Sequence, residues 1–137
     1  MQYELIQLSF DKIMQTRAYT VVILSANDKR FAIYTEPSVG KSLQMYLTGV
    51  EKVRPQTHDL MDMIFKALDV RIKQVVIYDL QGSIYYAKLF MEQTIGDIRH
   101  IIEIDARPSD CISLALMNNV PVYCSQDVLE KTVALEE

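Results

Sequence analysis

The apolar and polar positions of the chain change period several times, and each change marks an element. From Tyr3 to Phe10 they alternate imperfectly, with Tyr3, Leu5, Gln7 and Ser9 on one side and Glu4, Ile6, Leu8 and Phe10 on the other, which predicts a half-buried first strand. The run Tyr19-Thr20-Val21-Val22-Ile23-Leu24, the turn-forming pair Asn27-Asp28 and renewed alternation from Arg30 to Thr35 predict a hairpin. The spacing then becomes helical: Val39, Leu43, Tyr46 and Leu47 recur after Pro37 and stop at Gly49, predicting a helix over 38–48. A second helix is expected to start with Thr57 as its N-cap and Asp59 in its first turn, and to end near Asp69. Leu60, Met61, Ile64, Phe65 and Leu68 form its apolar stripe, and Asp62 and Lys66 an exposed pair.

Two runs rich in Val, Ile and Tyr, 73–79 and 83–92, predict a second hairpin across Leu80-Gln81-Gly82, and the alternation from Ile98 to Asp105 predicts a strand paired with it. Pro108 suits the first turn of a third helix with the stripe Cys111, Ile112, Leu114, Ala115 and Leu116, which stops at Asn118-Asn119. Residues 120–124 read as one more short strand. Ser125 then caps a final amphipathic turn or two through Val128, Leu129 and Val133, ahead of an acidic end, Glu136-Glu137, that is expected to fray. Hairpin-connected strands mixed with three to four helices indicate an α+β fold. One domain over residues 1–137 is expected, its sheet largely antiparallel or mixed, with the helices packed on it.

Composition narrows the function classes. Half of the residues are hydrophobic and 23% are charged, so the chain can bury a core and is neither disordered nor collagen-like. Apolar runs such as Val75-Val76-Ile77-Tyr78 fall far short of the ~20 residues that cross a bilayer, and Met1-Gln2-Tyr3-Glu4 does not begin a secretory signal. A cytoplasmic protein with no membrane partner is expected. In a reducing compartment Cys111 and Cys124, which fit neither a zinc spacing nor a redox pair, are expected as small core residues. A net charge of -4 argues against broad attraction to nucleic acid and leaves room only for a local basic site.

Two segments depart from an ordinary core and resemble one another: Arg54-Pro55-Gln56-Thr57-His58-Asp59 and Asp105-Ala106-Arg107-Pro108-Ser109-Asp110. Each sets Arg-Pro ahead of a helix. Proline extends the preceding residue, so Arg54 and Arg107 are candidates to clamp a phosphate beside the free N–H groups of the first turn, as a nucleic-acid backbone requires. Alternatively, both arginines pair with Asp59, Asp105 or Asp110 and lock the helix starts without any ligand. Asp59, Asp105 and Asp110 are candidate ligands for a hard divalent cation, magnesium or manganese, with His58 as a candidate proton relay. Thr57 and Ser109 read as caps, and no glycine-rich phosphate loop, zinc pattern or aromatic RNA-binding motif is present.

The same two segments carry a family resemblance, together with Cys111-Ile112-Ser113-Leu114-Ala115-Leu116, Val120-Pro121-Val122-Tyr123 and the strand Tyr85-Tyr86-Ala87-Lys88-Leu89. Over about residues 31–129 the chain resembles the bifunctional nuclease domain family, formerly a domain of unknown function. The resemblance implies a compact α+β fold and hydrolysis of phosphodiester bonds in DNA, RNA or both. For a metal-assisted reaction of that kind the residues themselves offer His58, Asp59, Asp105 and Asp110 as the candidate catalytic set. It differs at one place. Similar proteins usually have Ile-Gly and then Glu-Ala opening the first helix, where this chain has Thr35-Glu36-Pro37-Ser38-Val39-Gly40; Val39 replaces the glutamate, and Glu36 lies close enough to stand in. Some members carry an appended helical segment; the sequence ends at Glu137 and none is expected here. The alternative to a nuclease is a non-catalytic module, a homo-oligomer or partner-binding domain whose apolar strands or helices form an interface.

Overall fold

The computed structural model describes residues 4–135. Strand β1 (Leu5–Gln15) is longer than its alternation suggests, because Asp11 is an extra residue between the register pairs Phe10–Leu24 and Lys12–Ile23. This bulge bends the strand and restores its pairing after the period is broken. Tyr3, expected in that strand, lies outside the described residues, as do Glu136 and Glu137. β2 (Thr20–Ala26) returns as β3 (Lys29–Thr35) through Asn27-Asp28, with Asn27 at a φ of 54°. α1 (Pro37–Thr48) opens on proline and is stopped by Gly49.

α2 (Thr57–Ala67) leads into the hairpin of β4 (Val70–Gln81) and β5 (Ile84–Ile95), and a tight turn at Gly96-Asp97 adds β6 (Ile98–Ala106). The hairpin strands run further than expected, since Gly82, at a φ of 63°, reverses the chain with only Ser83 beside it. α3 (Pro108–Asn118) crosses back to β7 (Val122–Ser125), and α4 (Gln126–Lys131) follows, capped as expected by Ser125 Oγ, which accepts from Val128 N at 3.2 Å.

All seven strands form one sheet in the order β3-β2-β1-β7-β4-β5-β6. The α3 crossover inserts β7 between β1 and β4, antiparallel to the first and parallel to the second, so the sheet is mixed and the fold α+β, as the element pattern indicated. It curls until Phe31 of β3 stacks on Tyr85 of β5, ring centroids 6.0 Å apart. α3 packs on β4 and β5, α1 on β1, β2 and α3, α2 on α3 and β4, and α4 on β4 and β7. Phe31, Leu24, Leu43, Ile77, Ile112 and Leu114 are fully buried between these layers. Cys111 and Cys124 are free, buried core residues, and burial pushes their thiols up to about 12 and about 11. No helix among the described residues is long and apolar enough to cross a membrane.

Two local details position the site. α1 lies close to β1 and β2 because Gly40 has no side chain: a Cβ there would run into Thr20 and the Gln15 amide. That amide donates to Thr20 Oγ1 (3.1 Å) and to the Pro37 carbonyl (3.0 Å), fastening the first residue of the helix. In α2 only Met61 and Phe65 of the expected stripe pack on the core, while Leu60, Ile64 and Leu68, one ridge further round, stay open. The helix is rotated because Asp62 faces α3. Instead of forming an exposed pair, Asp62 is buried and accepts from both Lys66 Nζ (2.7 Å) and Asn118 Nδ2 (2.9 Å).

Candidate active site

The second Arg-Pro corner closes on itself. Pro108 forces Arg107 into an extended conformation (φ -63°, ψ 142°), where it serves as the N-cap of α3 three residues ahead of Asp110. At that spacing the guanidinium meets the carboxylate with two hydrogen bonds, Nε to Oδ2 at 2.9 Å and Nη2 to Oδ1 at 3.2 Å, while Nη1 reaches Glu36 Oε1 at 2.7 Å. His58 Nε2 lies 3.0 Å from Asp110 Oδ1. Asp110 therefore joins both motifs, and Glu36 at the head of α1 closes the group. Burial pushes the Asp110 carboxyl up, but hydrogen bonds from Arg107 and His58 outweigh it and hold it below its ordinary value. Bonds from Asp110 and then Glu36 raise Arg107, which is permanently charged.

The first corner is built differently. Thr57 is not the N-cap; it is the first helical residue, and Gln56 takes the cap position because its N–H donates to Asp59 Oδ2 at 2.8 Å. Ser109 likewise lies inside the first turn of α3 and is buried, with Arg107 as the cap. Asp59 also receives Lys52 Nζ at 2.9 and 3.1 Å, and Ser42 of α1 donates to Gln56 Oε1 at 2.6 Å. Burial raises the Asp59 carboxyl; the Gln56 N–H and Lys52 more than offset this and lower it. Arg54 is exposed in the loop, with no partner among the described residues.

Asp105 does not join the group. It alternates with Ile102 and Ala106, which pack against the core, so it points to the other side of the sheet, opposite Lys88 in the ladder. There it accepts from Tyr78 Oη at 2.6 Å, and this bond is the main reason that the phenol is pushed up to about 12. Asp59, Asp105 and Asp110 are thus each held by different partners, and among the described residues no three His, Cys, Asp or Glu side chains converge as a cation site. The donor set present does not fit a divalent ion held by the protein alone.

The starts of α1, α2 and α3 meet around an open cleft of about 580 Å³, lined by Glu36, Ser38, Lys41, Thr57, His58 and Arg107 among others. Three helix starts, Lys41 and Arg107 border this cleft together with the carboxylates of Glu36 and Asp110, which Arg107 already holds. His58, fixed through Nε2, has no partner for Nδ1 among the described residues and borders the cleft. Glu36 and Arg107 form a ridge beyond which lies a second cleft of about 510 Å³, with Tyr34, Ile84 and Tyr85 in its walls. Sequence reasoning missed Ser42, Gln56 and Lys52 as supports of the site; the capping-box spacing of Gln56 and Asp59 could have found the second, whereas no spacing rule links Ser42 or Lys52 to Asp59.

A family model described as the bifunctional nuclease domain matches residues 21–136. Uncharacterized proteins from two strains of Mycobacterium tuberculosis are each 34% identical to this chain over 120 residues, covering 86% of it and 69% of their own length.

Proposed function

Because the chain belongs to the bifunctional nuclease domain family, we propose that it hydrolyses phosphodiester bonds of DNA, RNA or both in the cleft between the starts of α1, α2 and α3. The observation that carries this reading is the convergence of three helix N-termini on a histidine oriented by a carboxylate, next to a fixed guanidinium. Arg107 and the helix N-termini hold the phosphate. His58 takes a proton from the attacking water on Nδ1 while Asp110 keeps its ring in place; the water oxygen bonds to phosphorus, and the bond to the leaving sugar oxygen breaks. Arg54 contacts a neighbouring phosphate of the same strand. Two free buried cysteines support a cytoplasmic setting.

The test is a nuclease assay on highly purified protein with DNA and RNA substrates, run with added magnesium or manganese and with excess chelator, beside identically prepared His58→Ala and Asp110→Asn variants. Variants as active as the parent chain would sink the proposal, since the activity would then belong to a contaminant or another site. A second reading, a non-catalytic homo-oligomeric module, is favoured by the fact that Glu36 and Asp110 already satisfy Arg107 without a ligand.

A further inference from the structure

The two edges of the sheet are finished differently. β3 opens on Lys29 and Arg30, and the chain itself occupies part of its outer side, where Leu135 N donates to the Arg30 carbonyl at 2.8 Å. β6 runs for 9 residues without proline, lysine or any register shift against β5, and no described strand pairs with its outer side. Natural edges normally carry such devices to prevent pairing with other chains. Ile98, Ile101 and Ile104 of β6 are nevertheless 63%, 66% and 41% exposed.

We propose that β6 is a self-association edge: it pairs antiparallel with β6 of a second copy of this chain about a two-fold axis through Ile101. This gives the occupant and register for the homo-oligomer of the second reading, and it is independent of the nuclease reading. With the axis at Ile101, Arg99 falls opposite Glu103 of the second copy and Glu103 opposite its Arg99, so both charges are matched twice by symmetry. Within one copy Glu103 already lies 3.5 Å from Lys88 and Arg99 2.9 Å from Glu92. The junction therefore continues a row of alternating sign, Lys88, Glu103, then Arg99 and Glu92 of the second copy.

On the helix side of the sheet Ile98 meets Ile104 of the second copy at each end. The Gln93 amide, opposite His100 in the ladder, donates to the Leu68 carbonyl at 2.8 Å and brings the open Leu60-Ile64-Leu68 ridge toward the same edge. Moving the axis to His100 or Ile102 sets Glu103 opposite Asp97 or Ile101 and loses the match. Beyond Ile98 and Ile104, Asp97 and Asp105 face each other as like charges, which limits the pairing to residues 98–104.

The experiment is analytical ultracentrifugation of the full chain at micromolar concentrations, with circular dichroism melts to establish that each variant is folded. The parent chain is expected to be dimeric. E103R and R99E, each of which opposes like charges, are expected to weaken dimerisation at least tenfold with the melt preserved, and mixing the two to restore a heterodimer. The register is read separately: I101C should give a disulfide-linked dimer on mild oxidation, whereas E103C, about 13 Å from its own copy at the ~3.3 Å rise of a strand, should not. A parent dimer that survives E103R, with no I101C cross-link, overturns the β6 edge while leaving self-association intact. A chain that stays monomeric at every concentration overturns both.

Discussion

At Arg54-Pro55 and at Arg107-Pro108 the chain sets an arginine and a proline before an aspartate that is the third residue of its helix, yet only the second arginine is held by the fold. The difference is one of spacing. Arg107 stands three residues before Asp110 and is itself the N-cap, so its guanidinium folds back over the first turn onto the carboxylate. Arg54 stands five residues before Asp59 and two before the cap, and Lys52 and the Gln56 N–H have taken that carboxylate instead. Similar motifs thus divide the work: one corner builds a fixed group with His58, and the other leaves a cation facing solvent.

The most severe way to break this comparison is to remove the side chain of the first segment that the second corner captures. His58→Ala should lower nuclease turnover by ~10²- to 10⁴-fold, the range for a lost general base, with DNA or RNA cleavage as the measurement. Next comes the aspartate. Asp110→Ala strands both Arg107 and His58 and should cost ~2 kcal/mol in a denaturation experiment, whereas Asp59→Ala loses one cap bond and a lysine and should cost ~1 kcal/mol. If the two costs are equal, the second corner is no better built than the first.

The arginines sharpen the contrast further. Burial of Arg107 against Asp105 or Asp110 would have made its loss cost several kcal/mol; the side chain is instead 57% exposed and pairs with Asp110 and Glu36. Arg107→Ala should therefore cost only ~0 to 1 kcal/mol, and Arg54→Ala less still, while both weaken nucleic-acid binding and flatten its salt dependence. Melting curves in which Arg54→Ala is the more damaging change would reverse the assignment. The smallest effect is on pH dependence. Asp59 and Asp110 are both held below the ordinary value of 3.8, so each contributes stability that is present above that value and lost as pH falls through its lowered pKa. Asp59→Asn and Asp110→Asn should each flatten that acid limb and leave the neutral range unchanged in slope.

Much of this fold is legible in the sequence because its signals are local. Asn27-Asp28, Gly49, Gly82, Pro108 and Asn119 punctuate the chain at or next to the observed ends of elements, and strand alternation orders β5 and β6. The parallel pairing of β7 with β4 is not legible, since no neighbouring residue encodes a partner that lies across a crossover. The side of α2 that packs is misleading for a related reason: apolar periodicity counts Leu60 and Ile64, but the buried bonds of Asp62 decide the rotation. At the site, the meeting of His58 with Asp110 was foreseeable from matched helix starts. The absence of Asp105 from it follows from strand alternation, which sends every second side chain of β6 through to the far face.

Gly40 gives the cleft a depth stop. The space withheld there is about one methyl group, and it sets how deeply the head of α1 sinks against Thr20 and the Gln15 amide. Since Glu36 rides on that head and closes on Arg107, a side chain at position 40 is expected to press α1 away from Thr20 and Gln15 and to shift the Glu36–Arg107 ridge between the two clefts. The setting of that ridge is thus governed by a residue that lines neither cleft.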